Sequence, residues 1–528
     1  MQQIAKYNNK IMSKVNILWV DDEIEMLRPH IIFLSEKGYD VDTVNNGTDA
    51  LEMIAENDYD LIFLDENMPG LTGIEVLGEI KKIKPLLPVI MITKSEEESI
   101  MEEAIGSNIA DYLIKPVNPN QILLAIKKNI DSRKIISEKS TISYQQEFRA
   151  IGVELMGNLD HREWIDIYKK LVTWELRLEK SMDSGVLEIL QMQKEEANNL
   201  FSQYVERNYI DWIGGNADDK PVQSHVAVRD MVLPKVNKTT PVFLFVIDNF
   251  RFDQWKAVYP VLSEFFRLDS EELYYSILPT TTQYARNAFF AGMVPSMIAR
   301  RYPQYWVDED EEGTKNQFEK ELFGEQIKRF GLDIKFSYNK ILSFNAGKKL
   351  QDNMHSLMHN DLNIIVYNFV DMLSHARTEM EVIRELASDD KAYRSLTLSW
   401  FMNSPLLEMM KYVAAKGAKM IITTDHGSIR VKKPVKVLGD RNTNTNLRYK
   451  FGRSLDYKAK DVFAVRNPED IFLPRPNVST SYIFCREADY FVYPNNYNYY
   501  ASFYKDTFQH GGISMEEMLI PLVTLSPK

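Results

Sequence analysis

At 528 residues the chain is too long for one ordinary core, and two to four domains are expected. It is 45% hydrophobic and 26% charged with no low-complexity tract, as in soluble globular proteins, and no apolar run approaches the ~18 residues of a membrane span. The formal charge of −12 argues against holding nucleic acid by bulk electrostatics, and the single Cys485 excludes an intrachain disulfide or a thiolate-cluster metal site.

The first residues, MQQIAKYNNKIMSKV, lack the apolar stretch of a secretory signal, so a cytoplasmic location is expected. Residues 1–11 read as an extension before a start at Met12. From there to residue 133, short apolar strands alternate with amphipathic helices: VNILWV, a helix to Lys37, YDVDTV, a helix, YDLIFLD, a helix, LPVIMIT, a helix, ADYLI and a last helix to about Asp131. This alternation predicts a doubly wound parallel sheet of five strands. Asp21 and Asp22 follow the first strand, Asp65 the third, Thr93 the fourth and Lys115 the fifth. Three carboxylates at one sheet edge suit Mg²⁺, a hard cation that prefers oxygen, and Asp65 can attack a phosphoryl donor there. A hydroxyl and an ammonium on the neighbouring strands can hold the phosphate oxygens.

The stretches ILWVDDE, LDENMPG, MIT and YLIKP resemble the response-regulator receiver domain. The resemblance implies that Asp65 is phosphorylated by a sensor histidine kinase. It also implies that Asp22, Asp65 and the carbonyl of Asn67 ligate Mg²⁺, with Asp21 acting through water. Thr93 and Tyr112 would form the switch pair and Lys115 the phosphate contact. Lys94 departs from the family, which has a small residue after the Thr.

Residues 134–222 read as helical throughout. Asp160 and Glu163 resemble a capping box before a helix through Trp164, Ile165, Tyr168, Leu171 and Val172. A second pattern runs through Val186, Leu190, Gln193, Ala197, Leu200 and Tyr204 after a break at Ser181–Gly185. With the segment around 138–157 this predicts a three-helix bundle with an aromatic core, serving as a connector. No basic recognition helix is present, so the usual DNA-binding output is missing.

Residues 223–528 form the remaining domain. The strand in PVFLFVIDNF ends in Asp248, NIIVYNFVD ends in Asp371 with His375 four residues later, KMIITTDHG ends in Asp425-His426, and QHGG carries His510 before a closing helix or strand. Ligands collect beyond the carboxyl ends of such buried strands. The Pro-Thr-Thr-Thr turn at 279–282, ahead of a helix, places hydroxyls against free backbone N–H groups, a seat for phosphate. Imidazoles and carboxylates without thiolate suit Zn²⁺ or Mn²⁺, and two such ions ~4 Å apart clamp both oxygens of a displacement at phosphorus. The triple Thr leaves the reacting hydroxyl open among Thr280, Thr281 and Thr282.

In order and motif this half resembles the alkaline phosphatase superfamily, specifically its PglZ-type domain, implying an alkaline phosphatase-like α/β sandwich. By that pattern Asp371, His375 and His510 hold one Zn²⁺. Asp248, Asp425, His426 and the nucleophilic Thr282 hold the other. Between Arg430 and Lys460 ten Lys/Arg face two Asp, and Arg441, Arg448, Lys450 and Arg453 are candidate contacts for an anionic nucleotide substrate.

The whole is thus expected to be an α/β multidomain protein: receiver, three-helix bundle linker and PglZ domain. This order resembles the PorX-type response regulators, which implies control of type IX secretion, a zinc phosphodiesterase acting on oligonucleotides, and a homodimer formed on phosphorylation. A second reading is an interaction adaptor with a structural metal domain, acting through a sigma factor or a secretion component.

Overall fold

The computed structural model describes residues 15–528 except 86, 95–108, 127–128, 130–131, 180–183, 309–310, 312–313 and 441–442. The N-terminal extension, the helix expected after Thr93, the stretch to about Asp131 and most of the Ser181–Gly185 break lie outside the described residues. No helix among the described residues is long and apolar enough to cross a membrane. Two compact units divide the chain between Ser143 and Tyr144.

The first unit is a five-stranded parallel sheet with β1 (Asn16–Val20), α1 (Arg28–Glu36), β2 (Asp40–Val44), α2 (Gly47–Glu56), β3 (Leu61–Asp65), α3 (Gly73–Ile83), β4 (Val89–Thr93), β5 (Asp111–Ile114) and α4 (Pro119–Ile126). The strand order is β2-β1-β3-β4-β5. Strands β3 and β4 are buried along their whole length, because helices cover both faces. Alternate residues supply the two cores: Leu18, Ile62, Leu64 and Met91 pack under α2 and α3, while Ile17, Trp19, Phe63 and Ile92 pack with Leu34 of α1 and Ile122 of α4. Thr72 and Glu75 close a capping box that starts α3 beside the Asp65 strand end.

The boundary falls within α5 (Ser132–Leu155), which is followed by α6 (His161–Leu178) and α7 (Ser184–Gly214). The expected capping box is present: Asp160 accepts from the Glu163 N–H and Glu163 accepts from the Asp160 N–H. The aromatic residues are core, with Trp164 edge-on to Phe201 at 5.4 Å and Tyr144 against Trp174 at 5.5 Å. These helices share one continuous core with the sheet that follows: Tyr168 packs on Phe252 at 5.9 Å and Trp212 on Tyr275 at 5.6 Å.

The second unit continues with β6 (Val242–Ile247), α8 (Phe252–Leu262), β7 (Phe266–Tyr275), α9 (Asn287–Ala291), β8 (Phe336–Ile341), β9 (Leu362–Tyr367), α10 (Phe369–Glu379), α11 (Asp390–Met402), β10 (Lys419–Thr423), α12 (Tyr497–Tyr504) and β11 (Leu519–Pro527). The six-stranded sheet has the order β7-β11-β10-β6-β9-β8. Strands β8, β9, β6 and β10 are parallel, whereas β11 runs antiparallel to both β10 and β7. The closing segment therefore resolves as a strand.

A buried charge lattice joins the helices to this sheet. Lys194 Nζ of α7 lies 2.7 Å from Glu175 Oε2 of α6. Arg394 Nη1 of α11 lies 3.1 Å from Glu175 Oε1 and 2.6 Å from Asp253 Oδ2 of α8. Arg251 then bridges Asp253 Oδ2 at 2.6 Å and Asp390 Oδ1 at 2.8 Å. Removing one member leaves its partners charged in a medium that cannot solvate them. Arg394→Met is expected to lower the unfolding free energy of the second unit by about 3–5 kcal/mol, read as an earlier denaturant midpoint. An unchanged midpoint would contradict the lattice.

Candidate metal centres

In the first unit the parallel strands bring Asp21, Asp22 and Asp65 together at their carboxyl ends, with one oxygen of each within 4.8 Å of the others. Lys115 Nζ sits 2.8 Å from Asp21 Oδ2 and 3.0 Å from Asp65 Oδ1. Burial, with Asp21 and Asp22 nearby, pushes the Asp65 carboxyl up to about 6 despite Lys115. Burial works against the Lys115 ammonium too, but its bonds to Asp21 and Asp65 outweigh that and raise its pKa. Thr93, fully buried, donates its hydroxyl to Glu66 and interacts with Tyr112. Asn67 lies exposed two residues past Asp65. Lys94, the departure from the receiver pattern, pairs with Glu23 at 2.8 Å.

In the second unit the strand register sets the geometry. Thr423 pairs with Val246 and Tyr367 with Ile247, so continuing the register places Asp425 and Asn368 level with Asp248. The strand expected to end in Asp371 stops at Tyr367; Asp371 lies instead in the first turn of α10 and His375 one turn on, so both share one helix face. Two triads result: Asp248, Asp425 and His426, all buried, and Asp371, His375 and His510, the ligand atoms of each lying within 4.8 Å of one another. The imidazoles of His426 and His510 stack at 4.2 Å, so the triads are neighbours. Asn249, in the left-handed region at φ 60°, spans them: its N–H faces Asp425 Oδ1 at 3.5 Å and its Nδ2 faces Asp371 Oδ1 at 3.4 Å.

The structure separates the three threonines. Thr280 Oγ1 donates to the Gly512 carbonyl at 2.9 Å and accepts from the Gly511 N–H at 3.0 Å, so it is consumed in holding the His510 loop. Thr281 Oγ1 is buried with no hydrogen-bond partner. Thr282 Oγ1 lies 3.3 Å from Asp248 Oδ1 and 3.2 Å from His426 Nε2. Close approach places the other ligands. A Cβ on Gly427 would meet the Glu516 carbonyl oxygen at 2.0 Å, and Gly511 has φ 124°.

The donors fit divalent cations. Asp425 Oδ2 is buried without a hydrogen bond, and thiolate is absent from the cluster. Burial and the neighbouring His426 and His375 hold the His510 imidazole well below its usual pKa, in the neutral form that ligates. Burial pushes the Asp248 carboxyl well up, against Arg286. Burial also acts on Asp425, but His426 and Arg286 outweigh it and keep this carboxyl low.

Sequence reading missed Arg286, Asn249 and Glu319. Arg286 is fully buried, with Nη1 2.8 Å from Asp248 Oδ2 and 3.8 Å from Asp425 Oδ2, and Nε 2.7 Å from Glu319 Oε1. Its position four residues after Thr282 at a helix start was the available signal.

Asp248 and Thr282 of one site and Asp371, His375 and His510 of the other line a cleft of about 810 Å³, with Gln283, Asn316, Asn368, Asn444, Asn446, Gln509 and Lys315 among its other described residues. The basic segment is built differently from the expectation. Arg448 is fully buried and ion-paired with Glu517 at 2.6 Å, Lys450 donates to the Asn444 carbonyl at 2.7 Å, and Arg453 donates to Asn477 at 2.8 Å. None of these three lines the cleft; the amides of Asn444 and Asn446 do. Arg441 lies outside the described residues.

Three family models match in sequence: the response regulator receiver domain over residues 17–127, the PorX response regulator linker domain over 134–213, and the BREX system PglZ alkaline phosphatase-like domain over 228–525. The chain is 36% identical over 115 residues to the transcriptional regulatory protein ResD of Bacillus subtilis (strain 168), covering 22% of this chain and 48% of ResD. It is 33% identical over 139 residues to ZraR of Klebsiella oxytoca, covering 26% and 31%. The chain thus spans about half or less of these curated relatives. A CheY-like receiver domain structure from Methanospirillum hungatei JF-1 matches with 28% identity and TM-score 0.22, over 23% of this chain and 96% of that one. The response regulator TrrA of Thermotoga maritima, solved in complex with Mg²⁺-BeF, matches with 34% identity and TM-score 0.20, over 22% and 97%.

Proposed function

The chain belongs to the PglZ alkaline phosphatase-like family, and from that premise we propose that it is a receiver-controlled phosphodiesterase acting on nucleotides or oligonucleotides. The observation that carries this reading is the Thr282 hydroxyl, 3.3 Å from Asp248 Oδ1 and 3.2 Å from His426 Nε2, beside one of two neighbouring ligand triads.

Two Zn²⁺ (or Mn²⁺), one held by Asp371, His375 and His510 and one by Asp248, Asp425, His426 and Thr282, would supply Lewis-acid charge and lower the hydroxyl pKa. Thr282 Oγ is the nucleophile: as its proton passes to solvent it forms a bond to phosphorus while one ester oxygen leaves from the opposite side and takes a proton from water, and water then hydrolyses the resulting threonine phosphodiester. Arg286 holds Asp248 in position, and Glu319 fixes the guanidinium from behind. The amides of the cleft orient an uncharged part of the substrate while Lys315 carries positive charge.

In the receiver, Mg²⁺ held by Asp22, Asp65, the Asn67 carbonyl and, through water, Asp21 would offset phosphoryl charge. Asp65 accepts the phosphoryl group from a sensor histidine kinase. Lys115, 3.0 Å from Asp65, holds the new oxygens, and Thr93 and Tyr112 respond to them. Phosphorylation drives formation of a homodimer. A cytoplasmic location and a role in type IX secretion complete the reading, the latter supported by the PorX-type linker match.

Wild type is expected to hydrolyse bis(p-nitrophenyl) phosphate faster than p-nitrophenyl phosphate. Thr282→Val should lower that turnover by roughly 10³-fold while retaining its metal. Thr280→Val should instead lose about 1–3 kcal/mol of stability, because the Gly511 and Gly512 backbone groups lose their partner. Full metal with no turnover of either ester in wild type would favour the adaptor, and preference for the monoester would make the protein a phosphomonoesterase. For the receiver, beryllofluoride should convert wild type to a dimer in sedimentation and leave Asp65→Asn monomeric; a monomer in both would contradict the phosphorylation-driven dimer.

A further inference from the structure

The metal cleft meets, at Tyr504, the end of a helix whose composition the metal chemistry does not explain. Helix α12 reads YNYYASFY, and none of its residues is buried. Its rings form two parallel ladders one turn apart: Tyr499 over Phe503 at 5.9 Å and 16°, and Tyr500 over Tyr504 at 6.0 Å and 14°. Tyr504 lines the cleft beside His375 and His510. Its ring also packs on the cluster of Ile429, Val431, Tyr490 and Val492, which anchors the helix to the domain. Tyr500, one turn away, is 38% exposed, and Tyr499 is 63% exposed. The second ladder therefore starts at the lining of the cleft and runs out to solvent.

The rest of the cleft supports one kind of occupant. Among the described residues its lining carries six amides, Gln283, Asn316, Asn368, Asn444, Asn446 and Gln509, together with Lys315. Asn368 Oδ1, level with Asp248 in the strand register, is buried with no hydrogen-bond partner. Amides pair with the edges of heterocyclic bases, and exposed tyrosine rings stack on their faces with little regard to sequence.

We propose that Tyr504 and Tyr500 form a stacking platform for successive bases of a single-stranded oligonucleotide. Tyr504 takes the base beside the scissile phosphate and Tyr500 the next one, so the site selects chains of two or more nucleotides over small diesters. Tyr500 is then a specificity-determining residue with no part in the chemical step. This deepens the nucleotide phosphodiesterase reading and rests on it.

The test compares kcat/KM for a thymidine tetranucleotide with kcat/KM for methyl p-nitrophenyl phosphate, a diester with no base. Tyr500→Ala should lower the ratio of the two roughly tenfold through KM for the tetranucleotide. Tyr500→Phe, which keeps the ring, should hold the wild-type ratio and so separate lost stacking from a disturbed fold. An unchanged ratio in Tyr500→Ala overturns the platform while leaving the phosphodiesterase intact. Wild-type enzyme that cleaves the small diester but no oligonucleotide overturns the platform and the nucleotide reading together. Wild type that cleaves neither overturns the phosphodiesterase reading itself.

Discussion

The C-terminal site depends on one constraint: the parallel pairing of β6 with β9 on one side and β10 on the other. Because both neighbours run in the same direction and in matched register, Asp248, Asn368 and Asp425 emerge at one level of one sheet edge. A slip of one residue in either pair would turn the ligand to the opposite face. The remaining donors are brought to this edge by short devices. Asp371 and His375 use one helical turn, His426 follows Asp425 directly, and His510 arrives on a loop pinned by Thr280.

Gathering three carboxylates away from water is costly unless positive charge joins them. Arg286 supplies part of that charge, 2.8 Å from Asp248 and with Glu319 behind it. The buried Asp425 Oδ2 left without a hydrogen bond shows that the guanidinium does not satisfy the whole cluster. The same logic governs the lattice of Glu175, Lys194, Arg394, Asp253 and Arg251. It ties α6 and α7 to the segment immediately after Asp248 and Asn249, so these two helices and the strand end that carries a candidate ligand share one core.

Strands that are buried on both faces read directly from sequence, because LIFLD, VIMIT, VFLFVI and KMIIT are continuous apolar runs. Asp248 and the Asp425-His426 pair, just past such strand ends, were legible for the same reason, whereas the second triad draws Asp371 and His375 from helix α10 and His510 from a loop. Long-range partners were not legible. The ten cations between Arg430 and Lys460 suggested a substrate cover, yet Arg448 is neutralised by Glu517, which no local pattern links to it. The choice among three threonines likewise turned on Gly511 and Gly512, far along the chain. The three helices were expected as a connector, but periodicity alone shows a buried face without naming the surface that covers it.

The central claim is that six carboxylate and imidazole side chains and Thr282 hold two divalent cations beside one hydroxyl. Anomalous X-ray scattering at the zinc edge from zinc-loaded protein tests it most directly. The account predicts two peaks, each ~2.0–2.2 Å from its ligand oxygens and nitrogens: one among Asp248, Asp425 and His426, the other among Asp371, His375 and His510. A single peak, or peaks away from these side chains, would contradict it.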